Sequence, residues 1–422
     1  MSILSALPNP KKWPKVRLDA IFTRSREANA AELQPLSVFT DEGVVPRASR
    51  DHSYKALGDD LGKNLLVRPN DLVFNKLRTW QGAIGISAYE GIVSPAYFVL
   101  RPSPGVNGRF YHYLLRSAPW VQELRRVSKF MPPNQNDIAW DDLKRVLVPR
   151  PSIAEQRAIA DHLDTETARI DALIAKKQQV IEVVIERGNL ALVRALERRD
   201  TPWPRSLDEL EGLTSLGVCR VIHLSQCLDQ LTNGYVGPTR DILVDDGVPY
   251  VQSLHIKNGS IDFKRRPFFV TAEWHASRPR IHLRENDVLI VQTGDIGQVA
   301  VVPPGFGEAS CHALQIARVR SSLILGPYLA EYLRSSIGYQ SLLSRATGAL
   351  HPHLEGSIRT VPILVPPVDA QRAIVQEIAE WRQQSKELAG QLTKQIELLG
   401  EQRRALITAA VTGELEIPGV AA

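Results

Sequence analysis

Two long segments of the chain share one pattern of apolar and polar positions. The sequence Gln156-Arg157-Ala158-Ile159 recurs as Gln371-Arg372-Ala373-Ile374 in the second half of the chain, and each copy opens a polar-rich segment without proline. Apolar residues in both segments follow alternating steps of four and three, the spacing of a heptad seam. The pattern predicts two helices, each about 60–70 Å long at about 1.5 Å per residue. The first has a suitable N-cap in Ser152.

The seam predicts which side chains of the two helices pack together. Helices so long and so polar do not bury themselves alone, and the simplest partner for each is the other, in a coiled coil. Polar gaps at Glu166, Lys177, Ser385 and Gln395 leave the outer faces available to other subunits. The predicted seam residues are Ile159, Leu163, Ile170, Leu173 and Val184 in the first helix, and Ile374, Ile378, Leu388, Leu392 and Leu399 in the second.

The segment before each long helix is also repeated. Both segments contain short apolar runs, typical of strands, between Gly, Pro and Asn turns. Asn70-Asp71-Leu72-Val73 corresponds to Asn286-Asp287-Val288-Leu289, and Leu115-Arg116-Ser117 corresponds to Leu333-Arg334-Ser335. Because the offset between matching positions stays nearly constant along the whole half, we infer a tandem duplication.

The duplication predicts a mixed α+β fold. Two duplicated α/β domains are separated by two long helices, packed as an antiparallel coiled coil about a pseudo-twofold axis. The predicted boundaries are 1–151 for the first domain, 152–199 for the first long helix, 200–220 for a linker, 221–367 for the second domain, 368–415 for the second long helix and 416–422 for a tail.

Composition narrows the class of protein. The 422 residues, 44% hydrophobic and 23% charged, are typical of a soluble globular chain with two or more domains. No apolar run is long enough to cross a bilayer and the start lacks a signal-peptide core, which predicts a cytoplasmic protein without a membrane segment. Three cysteines argue against a disulfide framework. The net charge of +5 suits an anionic partner, although many ordinary proteins reach it.

Motifs for catalysis, metal or cofactor binding are not visible. Gly58-Asp59-Asp60-Leu61-Gly62-Lys63 has three residues between its glycines, where a phosphate-binding loop needs four, and Asn64 replaces the Ser or Thr that binds Mg²⁺. Cys311-His312 and the pair His351 and His353 lack the four-ligand spacing of a zinc site. Catalysis is therefore not visible in this sequence, and we predict no metal or cofactor bound by the chain itself.

The loops between the repeated framework positions differ between the halves. A kept scaffold with altered loops is typical of two related modules that bind different ligands, although unconstrained drift would look the same. Lys and Arg neutralise phosphates, while Gln, Asn and Arg read base edges. The candidate DNA-binding residues are Asn75, Lys76, Arg78, Trp80, Gln81, Asn134 and Gln135 in the first half, and Gln292, Thr293, His351 and His353 in the second.

Three motifs carry a resemblance to a known family. One is Leu147-Val148-Pro149 followed by Glu155-Gln156-Arg157-Ala158-Ile159, with its repeat at 365–374. Another is Arg169-Ile170-Asp171-Ala172-Leu173-Ile174, and the third is the ending at 396–415, which contains Arg403-Arg404-Ala405-Leu406-Ile407. Across essentially the full chain, the arrangement resembles the specificity subunit of Type I restriction-modification systems.

The resemblance implies a function and a set of partners. Two target-recognition domains would each read one half of a bipartite, asymmetric sequence in double-stranded DNA. The helices would form a spacer and dock two modification (methyltransferase) subunits, which carry the S-adenosylmethionine site, and restriction subunits would join that core. The chain departs from the family where the first helix has Gly188-Asn189-Leu190-Ala191-Leu192 in place of an Arg-Arg-Ala-Leu-Ile ending.

Two other functions remain open at the level of sequence. One is a stand-alone DNA-binding regulator that homodimerises through its coiled coil and binds a palindrome. The other is a scaffold whose globular domains bind protein. A duplicated chain has an internal twofold and does not need a second copy of itself, so a specificity subunit is expected not to self-associate. Its DNA half-sites are expected about one helical turn apart, near 34–36 Å.

Overall fold

The chain forms two compact units in a computed structural model. The described residues are 10–28, 33–40, 42–49, 64–131, 135–197, 204, 206–348, 353–354, 356–418 and 420. One unit comprises Met1–Gln178 with Leu392–Ala422, and the other comprises Gln179–Gln391. Each long helix therefore contributes one portion to each unit.

The first unit is built around an antiparallel sheet. Its strands are β1 (Lys15–Arg17), β2 (Phe22–Ser25), β3 (Leu36–Phe39), β4 (Gly43–Pro46), β5 (Leu65–Val67), β6 (Leu72–Asn75), β7 (Ile84–Ile86), β8 (Gly91–Val93), β9 (Tyr97–Pro102), β10 (Lys129–Met131), β11 (Gln135–Asp137) and β12 (Leu147–Pro149). The main sheet has the order β2-β9-β6-β7, and β1–β12, β3–β4, β5–β8 and β10–β11 are paired separately.

Helices cover one face of this main sheet. They are α1 (Gly108–Arg116), α2 (Ala118–Val127), α3 (Trp140–Leu143) and the start of α4 (Ile153–Asn189). Successive strand residues point to opposite faces, so Leu72 and Phe74 of β6 pack in the cluster that contains Phe110 of α1. Val73, between them, packs in a second cluster with Val38. Strand β6 is therefore buried on both faces.

The second unit repeats this sheet order. Its strands are β13 (Ser215–Leu216), β14 (Cys219–His223), β15 (Leu228–Asn233), β16 (Val248–Val251), β17 (Ile256–Lys257), β18 (Ser260–Ile261), β19 (Phe269–Val270), β20 (Val288–Val291), β21 (Val299–Val301), β22 (Ser310–Cys311), β23 (Leu314–Val319), β24 (Ala346–Thr347), β25 (His353–Leu354) and β26 (Pro362–Val365). The main antiparallel sheet is β15-β23-β20-β21, and the smaller sheets are β13-β14-β26, β19-β16-β22, β17-β18 and β24-β25.

Helices of the second unit include counterparts of those in the first. They are α5 (Ala191–Glu197), α6 (Leu207–Glu211), α7 (Leu224–Cys227), α8 (Ala272–Ala276), α9 (Gly326–Arg334), α10 (Ser336–Leu343) and the start of α11 (Val368–Thr412). Helices α1 and α9, the counterparts in the two units, each have nine residues. Helix α4 ends at Asn189, short of the predicted 199, and α5 follows after Leu190.

The repeated glutamines make the same contacts in both units. Gln156 is fully buried, and its Oε1 accepts a hydrogen bond from the backbone N of Asn107, the N-cap of α1, at 2.8 Å. Gln371 is equally buried, and its Oε1 accepts one from the backbone N of Leu325, the N-cap of α9, also at 2.8 Å. Each glutamine thus accepts a hydrogen bond from a partly buried backbone donor at a helix start.

The repeated Asn-Asp pairs also form one kind of turn. Asn70 and Asn286 adopt left-handed φ values of 73° and 66°, which asparagine tolerates better than most residues. Asp71 Oδ2 accepts a hydrogen bond from the Arg68 backbone N at 2.9 Å. Asp287 Oδ2 accepts one from the Arg284 backbone N at the same distance. These turns precede β6 and β20.

The portions of the two long helices run side by side in the first unit. In the first unit, Asp171 Oδ1 lies 3.0 Å from Arg403 Nε, and Lys177 Nζ donates to Gln395 Oε1 at 2.6 Å. Ascending positions in α4 therefore face descending positions in α11, which makes the portions antiparallel. In the second unit, the Arg194 guanidinium lies 5.6 Å from the centre of the Trp381 ring.

The seam follows the prediction at eight of its ten positions and differs at two. Ile159, Leu163, Ile170, Ile374 and Ile378 are buried, and Val184, Leu392 and Leu399 are half-buried. Leu173 and Leu388, however, are 42% and 43% exposed. Ile174 and Ala389, one residue further along, are half-buried instead. A helix has about 3.6 residues per turn, so steps of three and of four both approximate a turn, and only the packing partner decides between neighbouring positions.

Candidate nucleic-acid interface

The loop after β6 presents two of the predicted residues to solvent. Asn75 Oδ1 accepts a hydrogen bond from the Leu77 backbone N at 3.1 Å, and Thr79 Oγ1 donates to the Asn75 carbonyl at 2.6 Å. These bonds hold a tight turn, in which the Asn75 side chain is occupied with the loop itself. Arg78 and Gln81 are exposed on this turn, where they can reach a ligand.

Trp80 has a different position in the same loop. Its indole Nε1 donates to the Leu77 carbonyl at 3.0 Å, and the ring is half-buried. The Arg125 guanidinium lies 5.5 Å from the ring centre, in the range of a cation–π interaction. Trp80 therefore brings a cation of α2 to the loop.

Lys76 belongs to a cluster of cations and rings. Its Nζ lies 4.7 Å from the centre of the Phe98 ring and donates to the Pro95 carbonyl at 2.5 Å. Arg24 of β2 also lies 4.7 Å from the Phe98 centre, and it lies 5.4 Å from that of Trp140. Burial, and then the charge of Arg24, lowers the pKa of Lys76.

Two positive side chains that share one ring repel each other, so an anion placed beside them would be stabilised. This arrangement suits a phosphate ligand. Sequence reasoning did not select Arg24 or Trp140, because only the pairing of β2 with β9 brings Arg24 to Phe98. The single available indication was the basic run around Arg24 and Arg26.

The hairpin β10–β11 lies near this cluster. Asp137, at its end, acts electrostatically on Lys76. Phe130 is 67% exposed and pairs through the backbone with Asn136. Gln135 begins β11, and Asn134 lies outside the described residues.

Three predicted residues of the second half come together. Thr293 Oγ1 and His353 Nδ1 are 2.6 Å apart, and the Gln292 carbonyl accepts a hydrogen bond from the Leu354 backbone N at 2.9 Å. Thr293 is exposed and His353 is half-buried, so both are accessible. His351 lies outside the described residues.

Gln292 does not fit the predicted role of reading a base. Its side chain is enclosed, with 2% exposure, and its Oε1 accepts a hydrogen bond from Gln315 Nε2 at 2.8 Å. Gln292 follows β20, the most buried strand of its sheet. That position directs the amide inwards, where it supports the loop that carries Thr293.

A second group of rings and cations was not selected from the sequence. Arg278 lies 4.3 Å from the Trp274 ring centre and 5.6 Å from that of Tyr235. Rings with neighbouring cations can stack on bases and contact phosphates. Arg278 lies just beyond the end of α8, where its Nη1 donates to the Trp274 carbonyl at 3.3 Å. The approach of Tyr235 depends on the tertiary fold.

The described residues were also compared with the requirements of metal binding, reactive thiols and membrane insertion. No group of three or more His, Cys, Asp or Glu residues converges on a possible metal position among them. The three cysteines are buried, and burial raises the pKa of the Cys227 thiol to about 12. Within the described part of the chain, no helix is both long and apolar enough to span a membrane.

Comparisons with known proteins address the family. No protein-family model matches the chain. It is 21% identical to the EcoKI specificity subunit of Escherichia coli K12, over 98% of this chain and 91% of that subunit. It is 21% identical to the StySPI specificity subunit of Salmonella potsdam, over 96% of this chain and 90% of that one. A match to the Escherichia coli EcoBI specificity subunit, 19% identical, spans 65% of this chain and 59% of the subunit.

Solved structures share the fold of this chain. A chain from a study of assembly and conformational transition in the type I R-M system superposes with a TM-score of 0.71, at 18% identity, over 96% of this chain and 99% of that one. The HsdS subunit of Thermoanaerobacter tengcongensis gives 0.58, also at 18% identity, over 96% and 98%. The relatives are Type I restriction enzyme specificity subunits, which confirms the family resemblance drawn from the motifs.

Proposed function

We propose that this chain is the DNA sequence-recognition subunit of a Type I restriction-modification complex. The observation that carries the proposal is its likeness to specificity subunits over at least 96% of its length, in sequence and in fold. The exposed polar loops after β6 and β20 suit DNA contact. The same likeness favours this function over a stand-alone homodimeric regulator.

Each unit contains a target-recognition domain that reads one half of a bipartite, asymmetric site. The shared sheet order and the matching contacts of Gln156 and Gln371 support an origin by duplication. The contact loops differ, since Arg78 and Gln81 are exposed in one and Thr293 in the other. Two related but different surfaces are expected to read different sequences.

The long helices act as an antiparallel spacer and dock the modification subunits. Their outer faces carry large apolar side chains at Leu173, Val180 and Val183 of α4, and at Leu388 and Leu398 of α11, all at least 42% exposed. Apolar side chains exposed together are typical of protein interfaces. The chain is non-catalytic in this proposal, with S-adenosylmethionine bound by the modification subunits and restriction subunits added to the same core.

Methylation sequencing of genomic DNA with and without this gene tests the proposal. We expect one bipartite motif with two dissimilar halves and a gap of fixed length, present only with the gene. The half-sites should lie about one helical turn apart. An unchanged methylation pattern, or a palindromic motif bound by a stable homodimer of this chain, would contradict it.

A further inference from the structure

A basic cavity opens in the first unit, away from the predicted contact residues except Gln81. It has a volume of about 300 Å³ and lies between the loop after β6, helices α1 and α2, and the end of α11. Its lining includes Arg116, the last residue of α1, with Arg403 and Arg404 of α11. No carboxylate is among the described residues that line it.

The arginines of this cavity are held in place by neighbouring atoms. Arg116 Nη2 donates to the Thr40 carbonyl at 2.5 Å, and its Nη1 lies 3.1 Å from His112 Nε2. Arg403 Nη2 donates to Asp171 Oδ2 at 3.2 Å. Its Nε lies 3.0 Å from Asp171 Oδ1 without the alignment of a hydrogen bond, so that buried N–H has no hydrogen-bond partner among the described residues.

His112 adds no charge to the cavity at neutral pH. The ring keeps partial exposure through the cavity but is otherwise closely surrounded. Burial, with the charges of Arg116 and Arg403, lowers the pKa of His112 to about 3. Burial of the ring is the main cause of this low pKa, and the two guanidinium charges lower it further.

The second unit has a cavity at the corresponding place. It has a volume of about 340 Å³ and is lined by Arg334, the last residue of α9, and by Arg382. Glu331, also in the lining, takes the place of Tyr113 as the sixth residue of its helix. The Arg382 guanidinium donates to both Glu331 oxygens, and Arg334 Nη1 lies 3.5 Å from Glu331 Oε1.

The charges of the two cavities therefore differ. At the offset that relates Gln371 to Gln156, Arg403 and Arg404 of the first correspond to Gly188 and Asn189 in the second. Three guanidiniums line the first cavity, Arg403 among them pairing with Asp171 behind it, and no carboxylate is among its described lining residues. Two guanidiniums line the other cavity, where they share the carboxylate of Glu331. Oxyanions bind where several guanidiniums converge.

We propose that the first-unit cavity binds a phosphate-class oxyanion through Arg116, Arg403 and Arg404, and that the corresponding cavity of the second unit does not. The oxyanion accepts hydrogen bonds from guanidinium N–H groups. A DNA phosphodiester and a free phosphate share this chemistry, and the first of these sources rests on the proposed function. In the second unit Glu331 already occupies the guanidiniums as an internal anion.

Titration of the full-length chain with inorganic phosphate at constant ionic strength tests the site. The loss variant is Arg403→Gln with Arg404→Gln, and the charge-matched control is Lys386→Gln with Lys394→Gln, both exposed on the same helix. Saturable binding of one phosphate per chain is expected, with affinity reduced about tenfold or more in the loss variant as charge-assisted hydrogen bonds disappear. The control should bind as the unchanged chain does.

A DNA duplex of arbitrary sequence distinguishes a DNA phosphodiester from a free phosphate as the group that occupies the cavity. If a phosphodiester occupies the cavity, the slope of log affinity against log salt falls by about 0.9 for each lost phosphate contact in the loss variant only. An unchanged slope together with lost phosphate binding identifies a free anion. The proposal is overturned if phosphate affinity and salt slope are the same in the loss variant and the control. Absence of sequence-specific DNA binding would count against the proposed function and leave the phosphate result standing.

Discussion

Residues at corresponding positions of the two units differ in charge and in the contacts they make. Lys76 and Gln292 both follow the most buried strand of their sheets. Lys76 lies over the Phe98 ring, whereas the Gln292 amide is hydrogen-bonded to Gln315. The first unit therefore keeps a cation where the second keeps a neutral, satisfied amide. This difference is expected to give the two half-sites different electrostatic requirements.

Arg78 offers a test of this division. Its exposed guanidinium can read a base edge or a phosphate, so Arg78→Ala should weaken binding of the first half-site by about 1–3 kcal/mol. The second half-site should be unaffected. Footprinting of both half-sites measures this, with Thr293→Ala expected to show the reverse pattern. Unchanged protection at both half-sites would remove Arg78 from the interface.

The buried glutamines should control stability unit by unit. Gln156→Ala leaves the backbone N of Asn107 without its acceptor, and an unsatisfied buried donor costs about 1–3 kcal/mol. Hydrogen exchange in urea should show earlier opening of α1, and Gln371→Ala should do the same to α9. Gln376→Ala is the control, because that side chain is exposed and its hydrogen bond, to Glu380 Oε1, lies on the helix surface. A loss no larger than the control's would rule out this role.

His112 predicts a pH dependence for the first unit. Its pKa in the folded chain is about 3, while an unfolded histidine titrates near 6.5. Below pH 6.5 the unfolded state binds more protons, so stability falls as pH falls, by about 2 kcal/mol between pH 6.5 and 5. The charged groups that face His112 are Arg116 and Arg403. Urea unfolding should show a smaller pH effect in His112→Gln, and equal effects would contradict the assignment.

At the scale of elements, the long helices bury most of the predicted heptad positions and shift two of them by one residue. The half-buried positions Ile174 and Ala389 replace Leu173 and Leu388. The displaced leucines become part of an exposed apolar face. Of two neighbouring residues, one therefore packs within the helix pair and the other is exposed, where the proposed function places the partner subunits.

Substitutions at adjacent positions of α4 separate these two roles. Ile174→Asp places a charge at a half-buried position and should destabilise the helix pair. Leu173→Asp should leave the stability of the chain unchanged and weaken its co-purification with modification subunits. Thermal unfolding and a co-expression pull-down measure the two effects. The assignment fails if the variants exchange behaviours.

At the scale of the whole molecule, each long helix contributes to both units, since the division falls after Gln178 in α4 and after Gln391 in α11. A chain with this connectivity places one target-recognition domain in each unit under the proposed function. We therefore expect the length of the helices to set the number of base pairs that are not read.

Removal of one heptad from each helix tests that relation. Deleting 175–181 and 392–398 keeps the heptad phase and shortens each helix by about 10 Å, at about 1.5 Å per residue. At about 3.4 Å per base pair, the gap in the methylated motif should shorten by about three base pairs. Deletion of 175–181 alone puts the helices out of register and should abolish methylation. An unchanged gap in the double deletion would contradict the spacer role.

The sequence by itself determined the repeat, the long helices and the resemblance to specificity subunits. These follow from local periodicity and from positions at a constant offset, neither of which requires knowledge of what packs where. Gln156 and Gln371 were visible as a repeat, and their role as ties to the helix starts became clear only from their hydrogen bonds.

Tertiary structure decided which side chains face a ligand. Gln292 and Thr293 are neighbours in one loop, but one is buried and the other exposed. Arg24 reaches Phe98 through strand pairing, and Arg404 joins Arg116 in one cavity because the chain returns to the first unit after the second. Burial and charge convergence depend on contacts between residues far apart in sequence, and a one-dimensional pattern does not contain those contacts.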